Sequence, residues 1–306
     1  RRGHGPQPRE GGPFMADLTE FITNLESLPT LPSTSSRLVA MLGDRDVDLN
    51  EVSDIVRIDE SLSLSVLKYA NSAAYGSPGR EFNLRESIIR LGNDMLLKIV
   101  LQQQVGRVVS KPCKAFEMSR EAMWRSAIGG AVAAENLAKE HCPDDRDLCF
   151  IASLLRDVGK LVLDQKYGES YGESVANHLT RQTTYVDAER LAFGTDHGEV
   201  GAALCKHWQL PDRIVSAVRS HHEPPATGEN HDMLIDVIHA ADIVSLWSGL
   251  GIGQDGLQYE LAPHVKSSLS LSRRKAEREI ASMWAAVRSI EETLGMNAGQ
   301  NERSAA

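Results

Sequence analysis

Residues 233–247, MLIDVIHAADIVSLW, are apolar at nearly every position. Wound into a helix, such a stretch has no polar face to offer water, so other elements must enclose it on most sides. The chain contains no run of alternating residues bounded by Asn-Gly or Asp-Gly turns, so strands are few or absent and the enclosing elements are helices. Aromatic residues make up only 5 % of the chain, which leaves the core to Leu, Ile, Val and Ala and suits an all-α fold. The same helix carries Asp236, His239 and Asp242. A buried carboxylate costs several kcal/mol unless something pairs it. Asp242 therefore requires a cation, a donor or a proton, and Arg156 or a histidine of the preceding elements is the expected source.

Other stretches repeat helical spacing. Asp48 and Glu51 stand at capping-box distance before Val52, Ile55 and Val56. A second helix carries Leu62, Val66, Leu67 and Ala70, and is ended by Asn71, Tyr75 and Gly76, with Gly76 left-handed and Pro78 blocking continuation. In NLRESIIRLGNDMLLKIVLQQQV, Gly92 marks a break between two helices. FEMSREAMWRSAIGGAVAAENLAKE is a long helix whose small residues permit close approach, and Ser272 to about Gly295 is amphipathic. Residues 1–14 are read as a disordered leader or tag, 15–110 as an N-terminal helical lobe, 111–250 as a second helical lobe, 251–296 as a loop and helix, and 297–306 as a disordered tail.

A net charge of −9, with no basic run longer than Arg273-Arg274-Lys275, argues against nucleic acid as a partner. No apolar run approaches the roughly 18 residues of a membrane span. The four cysteines, Cys113, Cys142, Cys149 and Cys205, form no C-x-x-C pair and point to reduced thiols in a cytoplasm.

The informative polar residues lie further on. Residues 150–162 read as one helix with Phe150, Ile151, Leu154, Leu155, Val158, Leu161 and Val162 on a core face. Ser153, Arg156, Asp157 and Lys160 occupy the other face, and a polar face of that kind ordinarily meets solvent. In TDHGEVGAALCKHW, Asp196 and Glu199 have capping-box spacing, and His197 sits on the stripe of Val200, Gly201, Leu204 and Trp208. Ile214 and Val218 lead in steps of four to His222, with His221 beside it, before Pro224-Pro225.

Taken together, SLPTLPSTSSRLVAML, LKYANSAAYGSPG, NLRESIIRLG, MWRSAIGGAVAA, ASLLRDVGKLVL, FGTDHGEVGAALCKHWQLPDRIVSAVRSHHEP and VIHAADIVS resemble the HDOD proteins, a bacterial branch of the HD-domain superfamily. The resemblance runs from about Leu28 to Trp247. It implies an HD-like multi-helix domain preceded by a helical lobe. Active HD phosphohydrolases hold a metal with a first His, an adjacent His-Asp pair and a distant Asp. By this resemblance Asp242 matches the distant Asp and Asp157 the Asp of the pair. Arg156 replaces the paired His and Ser126 the first His. His197, His221 and His222 look like the extra histidines of related binuclear cyclic-dinucleotide hydrolases.

Arginine keeps its proton and cannot ligate a metal. At ~5 Å and an effective dielectric near 20 it would repel a divalent ion by about 6 kcal/mol. Its guanidinium can instead satisfy Asp157 or Asp242. The reading is a non-catalytic signalling module without cofactor, acting on a signalling protein or a small nucleotide ligand. With no receiver or cyclase segment in the sequence, its input is expected from a separate partner. The alternative is a metal-dependent phosphohydrolase with a remodelled site, using Fe or Mn held by Asp157, His197, His221, His222 and Asp242.

Overall fold

The computed structural model of the protein describes residues 33–42, 47–72, 82–108, 119–180, 183–228, 231–250 and 259–293. Tyr75 and Gly76, the expected tails 1–14 and 297–306, and residues 109–118 and 251–258, at the two expected boundaries near 110 and 250, lie outside them. Among the described residues every regular element is helical. None of these helices is long and apolar enough to cross a membrane.

The first four helices among the described residues are α1 (Ser33–Leu42), α2 (Leu49–Ile58), α3 (Glu60–Ala70) and α4 (Leu84–Val108). Asp48 caps α2 through the Asn50 amide (2.8 Å), while Glu51 turns away to Arg37 (2.6 Å), so the expected box is half made. A single residue, Asp59, ends α2 and caps α3, accepting from the Leu62 amide. Asn71 closes α3 and accepts from the Phe82 amide (2.9 Å). Gly92 breaks α4 as expected: its φ of 72° is a left-handed conformation that suits glycine.

The second set is α5 (Arg120–His141), α6 (Arg146–Leu155), α7 (Val158–Tyr167), α8 (Ser170–Ala176), α9 (Tyr185–Phe193), α10 (His197–His207), α11 (Asp212–Ser220), α12 (Met233–Trp247), α13 (Pro263–Ser268) and α14 (Arg273–Thr293). Every residue of α12 from Leu234 to Leu246 is buried, as its composition requires. Helices α5, α6, α11, α13 and α14 enclose it. The two sets are joined where α4 packs on α6. There Lys98 is buried between Glu135 (3.1 Å) and Asp147 (3.2 Å), above the Phe150 ring.

One expectation fails. Residues 150–162 are not one helix: α6 stops at Leu155, Arg156 and Asp157 form a turn, and α7 starts at Val158. Both helices bury the residues of the same apolar pattern, which therefore runs through the turn unbroken. Nor does the polar side meet solvent, since Ser153, Arg156 and Lys160 are all buried. The turn aims them inward. Helix α7 lies so close to α10 that a side chain at Gly159 would come within 2.7 Å of the Gly201 nitrogen.

Candidate functional site

The turn after α6 places a guanidinium in the centre of the second lobe. Arg156 is 1 % exposed. Its Nε donates to Asp242 Oδ1 on α12 at 2.7 Å and stands 3.4 Å from Asp157 Oδ2. Its Nη1 donates to the Ser153 carbonyl (2.9 Å), and its Nη2 to Ser126 Oγ on α5 (3.0 Å). Gly130, one turn along α5, leaves room for this group: a β-carbon there would lie 2.9 Å from Arg156 Cζ. Gly130→Ala is therefore expected to cost about 1–3 kcal/mol by overpacking. In urea denaturation the cost should shrink when Arg156 is also truncated, because the two residues share one space.

Beyond Asp157 lies a cluster of imidazoles. Lys160 Nζ holds Asp157 Oδ1 at 3.0 Å, and His197 Nε2 approaches the same oxygen at 3.6 Å. His197 opens α10 beneath the Asp196 cap, which accepts from the Glu199 amide (2.9 Å). Glu199 does not return the bond but turns to Arg219 (3.1 Å). The His197 ring donates from Nδ1 to Glu189 Oε2 (2.7 Å), and its backbone amide donates to the same oxygen (3.0 Å). Glu189, wholly buried on α9, accepts from the Tyr171 hydroxyl with its other oxygen. His197 Nε2 lies 2.8 Å from His222 Nε2. His222 stacks on Tyr259, and its Nδ1 stands 3.7 Å from Asp242 Oδ2. His221 donates from Nδ1 to the Val218 carbonyl (2.7 Å), which leaves its Nε2 buried and without a hydrogen-bond partner. His239 fixes the His221 backbone by donating to its carbonyl (2.7 Å).

Thus Ser126, Arg156, Asp157, His197, His221, His222 and Asp242 converge from five separate segments. Asp236, the other carboxylate of α12, faces elsewhere and accepts from Ser268 (3.1 Å). Glu189 is a site residue that the sequence reading passed over. Its position four residues after the buried Tyr185 puts it on the inner stripe of α9, which was the available signal.

Charge is divided unevenly across the cluster. Burial would raise the Asp157 carboxyl, but Lys160 and Arg156 hold it well below the usual range. Burial opposes a charge on His197, yet Glu189 outweighs it and raises that imidazole above its ordinary value. Burial pushes His221 down to about 4 and, with His221 and His197 adding repulsion, His222 well below its usual value. The two shifts favour a proton on His197 over one on His222, so that the His197 Nε2 is the better donor across their 2.8 Å contact.

Burial lowers His239 as well. A histidine depressed in the fold supports stability fully above its unfolded pKa, and that support is lost as pH falls toward the folded value. His221 alone is expected to withdraw about 3 kcal/mol between about pH 6.5 and 4. His197 acts with the opposite sign and offsets one of the three. Denaturation midpoints should therefore fall as the pH drops from about 6.5 to 4; an unchanged midpoint would mean that the imidazoles reach water.

Asp157, His197, His221 and His222 can each offer one ligand atom within 4.8 Å of the others. Three imidazoles and a carboxylate suit a divalent transition metal, and the bare His221 Nε2 is a ligand atom in waiting. The Glu189 carboxylate behind His197 is the usual support of a metal-bound imidazole. The other half of the cleft fits a metal poorly, because Asp242 Oδ1 is taken by Arg156, and Asp157 bears two cations.

The HDOD domain model matches residues 28–224 of the chain. An uncharacterized protein of Treponema pallidum (strain Nichols) is 26 % identical over 260 residues, which are 84 % of this chain and 48 % of the relative. The chain thus spans about half the length of that relative. An HDOD domain protein of unknown function from Geobacter sulfurreducens superposes with a TM-score of 0.63 at 26 % identity, over 90 % of this chain and 95 % of the other. A candidate signal transduction protein from Marinobacter aquaeolei VT8 gives 0.65 at 22 % identity, over 92 % and 64 %. A candidate phosphohydrolase from Shewanella amazonensis SB2B gives 0.57 at 19 %, over 86 % and 97 %. The last two are likenesses of fold alone.

Proposed function

The chain belongs to the HDOD domain family, and from that premise we propose that it is a non-catalytic regulatory module in bacterial signal transduction, acting by recognition of a partner protein or a small nucleotide. The observation that carries this reading is the buried pair of Arg156 and Asp242 at 2.7 Å. A fixed positive charge occupies the part of the cleft where a cation would need two carboxylates, and Ser126 and Ser153 saturate the rest of the guanidinium. The domain then supplies a rigid surface rather than a water-activating centre.

A second reading is favoured by the His221 Nε2 without a partner and by the four-residue donor cluster around it. On that reading Asp157, His197, His221 and His222 hold one Fe or Mn ion, which when bound would lower the pKa of water for attack on a phosphoester. Glu189 would orient His197, and His239 would fix the segment bearing His221 and His222.

Protein purified in the presence of manganese or iron separates the two. Elemental analysis is expected to find substoichiometric metal, with no turnover of a cyclic dinucleotide or a simple aryl phosphate. Stoichiometric metal together with hydrolysis would replace the first reading by the second.

A further inference from the structure

Two thiols outside the cleft stand close together. Cys142 ends α5, its amide bonded to the Ala138 carbonyl (2.9 Å). The 3-10 turn Pro143–Asp145 then reverses the chain, and Cys149 follows in α6. The reversal brings two sulfurs seven residues apart in sequence to an Sγ···Sγ distance of 3.7 Å. Their surroundings differ. Cys149 is wholly buried, whereas Cys142 is partly exposed beside Asp145, Asp232 and Arg213. The hydrogen bond from Cys149 lowers the Cys142 thiol against the effect of burial, while the same bond and burial raise Cys149. A partly exposed thiol whose pKa is lowered beside a shielded thiol whose pKa is raised is the division of labour of an attacking and a resolving cysteine.

We propose that Cys142 and Cys149 form a reversible, peroxide-responsive disulfide. The Cys142 thiolate attacks one oxygen of a hydroperoxide. The O–O bond breaks, hydroxide leaves and takes a proton as water, and Cys142 becomes a sulfenic acid. The Cys149 sulfur then attacks the Cys142 sulfur. The S–O bond breaks, and the departing oxygen carries away the Cys149 proton as a second water. Two thiols lose two electrons in all, and one hydrogen peroxide becomes two waters. Closure shortens the Sγ···Sγ separation from 3.7 Å to about 2.05 Å. A small dithiol reverses the reaction by exchange.

The crosslink would close a loop that contains a structural anchor. Asp145, between the two cysteines, receives two hydrogen bonds from Arg213 of α11 (2.7 and 2.8 Å). The same guanidinium binds Asp232 (2.7 and 2.9 Å), the residue that caps α12 through the Leu234 amide. Helices α11 and α12 lead to His221 and carry Asp242, so the thiol state fixes or frees the turn to which both are tied.

The test is peptide mapping of the full chain. Protein is exposed to a small excess of hydrogen peroxide at high dilution, denatured, alkylated and digested. The expected product is a peptide pair joined through Cys142 and Cys149, two hydrogen masses lighter than the thiols and absent after dithiothreitol, with Cys205 still alkylated. Recovery of both cysteines alkylated as in untreated protein would overturn the proposal. So would a disulfide between two chains, or a sulfinic acid on Cys142 without a crosslink. In Cys149→Ser, dimedone should label Cys142, and labelling should be weak in the wild type; label on Cys149 in Cys142→Ser would reverse the assigned roles. Mapping of the wild-type chain decides the matter even if a variant does not fold.

Discussion

Arg156→Ala is expected to lower the free energy of unfolding by about 3–5 kcal/mol, measured by urea denaturation at neutral pH. The loss has two sources. Asp242 keeps its buried position but loses the charge bonded to Oδ1 at 2.7 Å, and the space beside Gly130 empties. A desolvated carboxylate left alone is the larger cost, so Arg156→Met, which refills the space, should recover little. Arg156→Met combined with Asp242→Asn should recover much more, because replacing both members of a buried ion pair is far milder than removing one. A loss under about 1 kcal/mol for Arg156→Ala would show that the guanidinium does not neutralise the cleft.

Ser126→His with Arg156→His is expected to raise metal affinity on this side of the cleft above that of the parent chain. The two positions already touch, since Arg156 Nη2 donates to Ser126 Oγ at 3.0 Å. Histidines there would face Asp242 and Asp157 directly. The exchange removes a repulsion of several kcal/mol and adds two ligands. With tenfold per 1.4 kcal/mol, affinity for Mn or Fe should rise at least about a hundredfold in titrations of chelator-stripped protein. No gain would mean that Arg156 does not stand in place of a lost ligand.

The helical class was legible from residues 233–247 taken with the lack of alternating runs and the scarcity of aromatics, because a stretch without a polar face must be covered and nothing else in the chain reads as a sheet. The break at Gly92 was also legible, since glycine there relieves a backbone constraint that no neighbour supplies. The turn at Arg156 and Asp157 was not. Apolar periodicity records which positions are buried, and α6 and α7 bury theirs in a pattern that one helix would also produce. Lys160 was placed outside on the same ground, although a turn can bend a polar face inward. Capping was read at Asp48 and Asp196, and each caps a helix with half of the expected box. Complete boxes are made by Thr184 with Asp187 and by Asn83 with Glu86, where both residues bond back. Side-chain choice between two amides is a tertiary matter: Glu51 and Glu199 each had an arginine within reach. In the cleft, the set of polar residues could be named from the family resemblance, but not their pairing. Which carboxylate takes Arg156 and which takes Lys160 depends on distances across four helices.

The missing β-carbon at position 130 also sets a preferred order of substitution. With alanine there, the guanidinium of Arg156 would meet a methyl group at 2.9 Å from its central carbon. A smaller residue at 156, by contrast, coexists with either alanine or glycine. Exchanging both residues is therefore expected to be milder when Arg156 is shortened before position 130 is filled, because the opposite order passes through a crowded intermediate.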